Sequence, residues 1–220
     1  MCGRYTRSAA IEVLAEYYGV EPFDEFDDVR LSPTLDARPG SMQPVVCLDA
    51  NGHRSITLMR WGFNLTIQGK KKIVFNTKAE TVMESRLWRD KFIANRCIVP
   101  ASAFIEWPDS GKTFIGIHER EILGLAALWD AWTDPKNNAV ENTFSVFTAP
   151  PNARMMSIYN RQPVILDLTE FAEWLSPGTN PPVDLLRVFD SGLSKVWYER
   201  EGETKERSVD ENAPKQLSLF

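Results

Sequence analysis

The residues most able to do chemistry stand at the start of the chain, in Met1-Cys2-Gly3-Arg4. Initiator methionine is ordinarily removed ahead of a small residue, and removal here leaves Cys2 with a free α-amine. Such an amine titrates at about 7.7–8.0, so a sizeable fraction is unprotonated and nucleophilic at neutral pH. Its thiol sits on the adjacent carbon, so one aldehyde carbon can bond both groups and close a five-membered ring of N, Cα, Cβ, S and that carbon. An internal cysteine cannot do this. The same residue type also suits a small apolar position in a first strand. The remaining cysteines, Cys47 and Cys97, give an odd total with no C-x-x-C spacing, and His53 and His118 are the only imidazoles. That pattern predicts no structural zinc, no metal and a reducing compartment.

The 220 residues, 43% hydrophobic and 25% charged, have the composition of a soluble globular protein and exclude a collagenous, coiled-coil or wholly disordered chain. The longest apolar run, residues 122–129, is far shorter than the roughly 18–20 residues of a spanning helix, and no signal-type apolar region follows the first residues. A cytoplasmic location is therefore expected. The net charge of −5 hides an uneven distribution. Residues 12–28 hold seven acids and no base, whereas residues 60–96 hold nine Lys or Arg against three acids, a local +6. A polyanion partner is thus compatible with the sequence, as is a merely solvated basic face.

The elements that must position such residues are mostly strands. Ile11, Leu14, Ala15 and Tyr18 recur at helical spacing between Ser8, a possible cap, and Gly19, predicting a first helix. Runs at 45–48 and 56–61 flank Asp49-Ala50-Asn51-Gly52, a hairpin signal that leaves His53 on an exposed turn. Further strand-like runs lie at 73–76, 97–99, 103–107, 113–117, 123–129, 144–148 and 164–166, and helical patterns at 81–92, 153–158 and 171–175. Without regular βα alternation, this mixture reads as α+β. After Tyr198 the chain turns polar and is predicted to be a flexible tail, residues 199–220, with Val209 its one sizeable apolar residue before the last five.

Several separated blocks resemble the SOS response-associated peptidase (SRAP) family: Met1-Cys2-Gly3-Arg4-Tyr5, Trp61-Gly62-Phe63, Asn76-Thr77-Lys78-Ala79-Glu80-Thr81, Arg96-Cys97-Ile98-Val99-Pro100 running on to Phe104-Ile105-Glu106-Trp107, Ala126-Ala127-Leu128-Trp129, Phe147-Thr148-Ala149, and residues 158–166. The resemblance implies a single domain over residues 1–198, with a mostly antiparallel, barrel-like sheet and peripheral helices. It also implies an activity, the shielding of abasic sites in single-stranded DNA by a covalent thiazolidine cross-link, with no cofactor and a monomeric, nucleoid-associated protein. Cys2 is then the double nucleophile. Asn76 matches the asparagine that orients the amine, and Glu106 the glutamate that moves protons as the carbinolamine loses water. Tyr159 stands where the family has a histidine, and a phenol is a poor proton acceptor at neutral pH. Arg4, Lys78, Arg86 and Arg161 match DNA-binding positions, with Trp61 as a base-stacking surface or a core residue. Lys78 replaces an arginine, and Leu35-Asp36 replaces a Tyr-Asn pair.

The last five residues, Gln216-Leu217-Ser218-Leu219-Phe220, resemble the pentapeptide that binds the bacterial sliding clamp. Gln216 would orient it, while Leu217, Leu219 and Phe220 supply the apolar contacts. Two other readings use the same residues: an N-terminal cysteine peptidase or autoprocessing hydrolase, and a catalytically degenerate DNA-binding adaptor of the clamp.

Overall fold

Residues 2–21, 29–67, 70–109, 111–200 and 203–206 are described by a computed structural model. The chain opens with β1 (Tyr5–Arg7) and α1 (Ile11–Tyr18), whose apolar side chains at helical spacing are buried. Gly19 ends α1 in the left-handed conformation (φ 63°), its N–H closing on Ala15 and Glu16. The predicted cap at Ser8 is not used. Its hydroxyl bonds Ser102 instead, at 2.7 Å, and Ala10 takes the cap position.

Next come β2 (Thr34–Ala37) and the hairpin of β3 (Met42–Leu48) with β4 (Arg54–Trp61). The Asp49 carboxylate closes that turn by accepting from the N–H groups of Asn51 and His53, at 2.8 and 2.9 Å. A second hairpin, β5 (Phe63–Ile67) with β6 (Lys70–Val74), leads to β7 (Asn76–Lys78). Gly62 permits the switch from β4 to β5. It has φ +119°, and a Cβ there would collide with the Ile73 side chain.

The helix expected over 81–92 is a 3-10 turn, Ala79–Thr81, followed by α2 (Arg86–Ala94). After α2 come β8 (Arg96–Ala101), β9 (Ala103–Glu106), β10 (Thr113–Ile117), β11 (Leu123–Thr133) and β12 (Val140–Ala149). The pattern at 153–158 gives only the 3-10 turn Met155–Ser157, started by the Asn152 carboxamide, which accepts from the Met155 N–H at 2.9 Å. Short strands β13 (Gln162–Pro163) and β14 (Ile165–Leu166) precede α3 (Phe171–Leu175). Beyond it, β15 (Ser194–Arg200) and β16 (Glu203–Glu206) form a hairpin. The tail boundary expected at 198 is thus corrected: strand pairing runs on to Glu206, because β15 bonds the inner strand β10 and offers its other edge to β16. Residues 216–220 lie outside the described residues.

Five strands, in the order β12-β4-β3-β8-β11, close into a barrel because β11 pairs again with β12. The pairing is antiparallel except where β12 runs parallel to β4 and to β7. A six-stranded sheet, β16-β15-β10-β9-β1-β2, packs against it. β8 and the inner stretches of β3, β11 and β12 are buried on both faces, which is why they read as continuous apolar runs rather than alternating ones. Val45, Cys97, Val99, Leu125 and Val146 join Tyr5 and Phe104 of the six-stranded sheet, and Cys2 just ahead of it, in one core. Their neighbours Val46, Ile98, Ala126 and Phe147 face a second core under the helices, with Phe92, Phe171 and Trp174. This is the expected single α+β domain, with three α-helices among the described residues.

Arg96 ties the ends of α2 and α3 together. Its buried guanidinium donates to the carbonyls of Phe92 and Ile93 at the end of α2, and to those of Trp174 and Ser176 at the end of α3. These are carbonyls a helix end leaves without intrahelical partners.

Candidate active site

Strand register brings Glu106 to Cys2. Tyr5 lies opposite Phe104 across β1 and β9, and the Ile105 N–H bonds the Arg4 carbonyl at 2.9 Å, so the end of β9 runs beside the residues that precede β1. Alternation along β9 turns Glu106 to the same side as Phe104, where it is 4% exposed. Cys2 is also 4% exposed. Asn76, the first residue of β7, is fixed by pairing with Val146 of β12. From there its carboxamide N–H donates to the Cys2 carbonyl at 3.2 Å. The Cys2 sulfur lies 4.0 Å from the main-chain carbonyl of Arg161.

The electrostatics follow from burial. Desolvation raises the Cys2 thiol well above its ordinary pKa, and the facing Glu106 carboxylate raises it further. Desolvation likewise raises Glu106, so it holds a proton to higher pH than an exposed glutamate, while the Cys2 hydrogen bond opposes that rise. Two oxygens at the site, Glu106 Oε1 and Asn76 Oδ1, are buried without a hydrogen-bond partner among the described residues. A neutral thiol, a carboxyl group that can carry a proton and an amide that grips the main chain suit amine-first addition to a carbonyl. They do not suit a resting thiolate, which needs its pKa pulled down.

Cys2, Asn76 and Glu106 are thus brought together. Tyr159 is half-buried against the same core, its N–H bonded to the Met155 carbonyl at 2.8 Å, and no hydrogen bond joins its side chain to those three among the described residues. Arg4 pairs with Asp36, and its guanidinium lies 5.5 Å from the Trp107 ring centroid. Lys78 and Arg86 are exposed on β7 and at the start of α2. Arg161 is directed inward, paired with Glu80.

Trp61 as a stacking surface is corrected. It is 1% exposed, parallel to Phe144 and packed on Tyr5, and its indole N–H donates to the Phe75 carbonyl at 2.9 Å. Its register in β4 points it into the core, where it pins the residue before Asn76. The exposed indole on this side is Trp107, half exposed directly after Glu106. Strand alternation was the signal that would have found it: a buried Glu106 puts its neighbour on the outer face. Asp36, which holds both Arg4 and Arg38, was legible only as a departure from the family pattern.

Residues 1–201 match the family described as SRAP, SOS response associated peptidase. The chain belongs to the SRAP family. Similar SRAP proteins include the abasic site processing protein YoqW of Bacillus subtilis, 28% identical over 202 residues, covering 87% of this chain and 88% of that protein. Another is the abasic site processing protein YoaM of Bacillus subtilis, 28% identical over 190 residues, covering 83% and 82%. A crystal structure of a protein from Bacteroides thetaiotaomicron shares the SRAP chain's fold with a TM-score of 0.78, at 24% identity, over 91% of this chain and 93% of that one.

Proposed function

We propose that this SRAP chain captures abasic sites in single-stranded DNA covalently through Cys2, once Met1 has been removed. The observation that carries the reading is the grouping of Asn76, Cys2 and Glu106, with a buried carboxyl oxygen and a buried amide oxygen left without partners among the described residues. In the first step the Cys2 amine adds to the ring-opened sugar aldehyde and gives a carbinolamine. Glu106 donates a proton to the departing hydroxyl, water leaves and an iminium forms that keeps its one N–H. The Cys2 sulfur then bonds the iminium carbon, the C=N electron pair returns to the ring nitrogen, and the thiol proton passes to the Glu106 carboxylate. One water is released overall, and the thiazolidine remains attached to DNA. The names of YoqW and YoaM, abasic site processing proteins, support this substrate class.

The DNA approaches over Arg4, Lys78 and Arg86, whose charges attract phosphates without regard to sequence, with exposed Trp107 as a stacking face. Specificity comes from the aldehyde. The segment Gln216-Leu217-Ser218-Leu219-Phe220 recruits the protein to a bacterial sliding clamp, keeping the trap near replicating DNA. The test is denaturing electrophoresis of a labelled single strand carrying one abasic site. A slow band that requires both the abasic site and Cys2, and is lost in Cys2→Ala, is expected. Binding without any slow band would instead favour a DNA-binding adaptor, and Cys2-dependent cleavage of an amide substrate a hydrolase.

A further inference from the structure

Two segments hold Cys2, and they lie on opposite sides of β12. On one side β7 runs parallel to β12, with Asn76 opposite Val146 and Lys78 opposite Thr148. On the other, β13 pairs antiparallel, with Pro163 opposite Thr148 and Gln162 opposite Ala149. Asn76 grips the Cys2 carbonyl from the first side, and the Arg161 main-chain carbonyl faces the Cys2 sulfur from the second. No strand pairing joins β7 to β13 directly.

The Arg161 side chain makes that connection. Its guanidinium passes over β12, donating to the Thr148 hydroxyl at 3.1 Å and to the Thr148 carbonyl on the way. It ends on both carboxylate oxygens of Glu80, with Nη2 2.9 Å from Oε2. Glu80 sits in the 3-10 turn Ala79–Thr81 that follows β7. The ion pair is therefore a strap across β12, joining the arm that holds the Cys2 main chain to the arm that faces its sulfur. With a side chain only 15% exposed and its charge already met by Glu80, Arg161 is placed as a structural tie. Two-point attachment fixes direction as well as distance.

We propose that Glu80 is a positioning residue for the Cys2 nucleophile, acting through Arg161. The proposal rests on the reading of Cys2 as the nucleophile. Displacing a reacting group by about 1 Å can cost on the order of a hundredfold in rate, so a strap of this kind sets reactivity without touching substrate. It also assigns to Arg161 a role different from the phosphate contact that family resemblance implies.

The variant to test is Glu80→Gln in the full chain, which keeps the size and one acceptor oxygen but loses the charge and the two-point bond. Two measurements are made, with thermal melting as a check on folding. The first is the rate of cross-linking against the concentration of abasic single strand. The second, on DNA-free protein, is alkylation of Cys2 by iodoacetamide, located by peptide mass spectrometry, with buried Cys47 and Cys97 as internal references. The expected result is a maximal rate lowered about tenfold at an unchanged half-saturating DNA concentration, and Cys2 alkylation raised several-fold with Cys47 and Cys97 unchanged. If Glu80→Gln melts early, the exchange Glu80→Arg with Arg161→Glu should restore the rate that either single change loses. An unchanged maximal rate with tighter DNA binding and unaltered alkylation would overturn the proposal, since Glu80 would then merely compete with phosphate for Arg161. If the wild-type protein forms no Cys2-dependent adduct, the capture reading fails, while the alkylation measurement still decides whether Glu80 holds Cys2.

Discussion

Among the described residues, Glu106 and Asn76 each leave one buried oxygen unpaired beside Cys2, an arrangement that costs about 1–3 kcal/mol per group unless something arrives to bond it. In the proposed reaction the carbinolamine hydroxyl and the departing water are such partners. Replacing Glu106 with Gln keeps the shape and removes the proton carrier, so cross-linking should slow by about a hundredfold or more in single-turnover assays. The same change should affect stability in a pH-dependent way. Because burial raises the Glu106 pKa in the folded state, the folded chain holds more protons than the unfolded one above the ordinary carboxylate pKa, and stability falls as pH rises through that window. Glu106→Gln should therefore raise the melting temperature at pH 8, with the difference closing below about pH 4. Tyr159 makes a separate prediction. Tyr159→His should leave capture intact and change the rate of aldehyde unmasking or adduct release, and no change in either rate would contradict the idea that the phenol limits proton transfer. At this scale the proposal for Cys2 comes from its position alone, since an adjacent amine and thiol need no fold. Trp61 was not legible, because a tryptophan serves a core or a stacked base equally well until register in β4 decides.

Elements were legible where one local rule governed them. α1 and the β3–β4 hairpin follow helical spacing, Gly19 and the Asp49–Gly52 turn, all short-range signals. The pattern at 81–92 overran because spacing cannot register that residues 79–81 turn at the end of β7, where Glu80 is taken by Arg161. The contact between α3 and β11 was invisible for a similar reason. Gly124 looks like any strand glycine, yet a Cβ there would stand 2.7 Å from the Phe171 ring, so Gly124→Ala should destabilise by about 1–3 kcal/mol in denaturant titration. An unchanged midpoint would mean that α3 does not seat on β11 as described.

Over the whole molecule, the basic segment was legible as charge but not as a surface. The total of −5 includes pairs such as Arg60 with Glu141 and Lys91 with Asp130, whereas Lys78 and Arg86 are exposed. If Lys78 and Arg86 contact phosphates, each alanine substitution should reduce the slope of log affinity against log salt by about 0.7. The terminal pentapeptide belongs to the same scale, and deleting Leu219 and Phe220 should lower binding to a purified bacterial sliding clamp by about tenfold or more. Residue pairing, barrel closure and surface charge all serve one claim, that Cys2 forms a covalent bond to an abasic site. The most direct test is the intact mass of the full-length protein before and after incubation with a single strand bearing one abasic site, with Cys2→Ala alongside. The expected result is a protein lacking Met1, and an adduct equal to protein plus oligonucleotide minus one water that Cys2→Ala does not form. A processed N-terminus with no adduct, or an adduct that persists in Cys2→Ala, would contradict it.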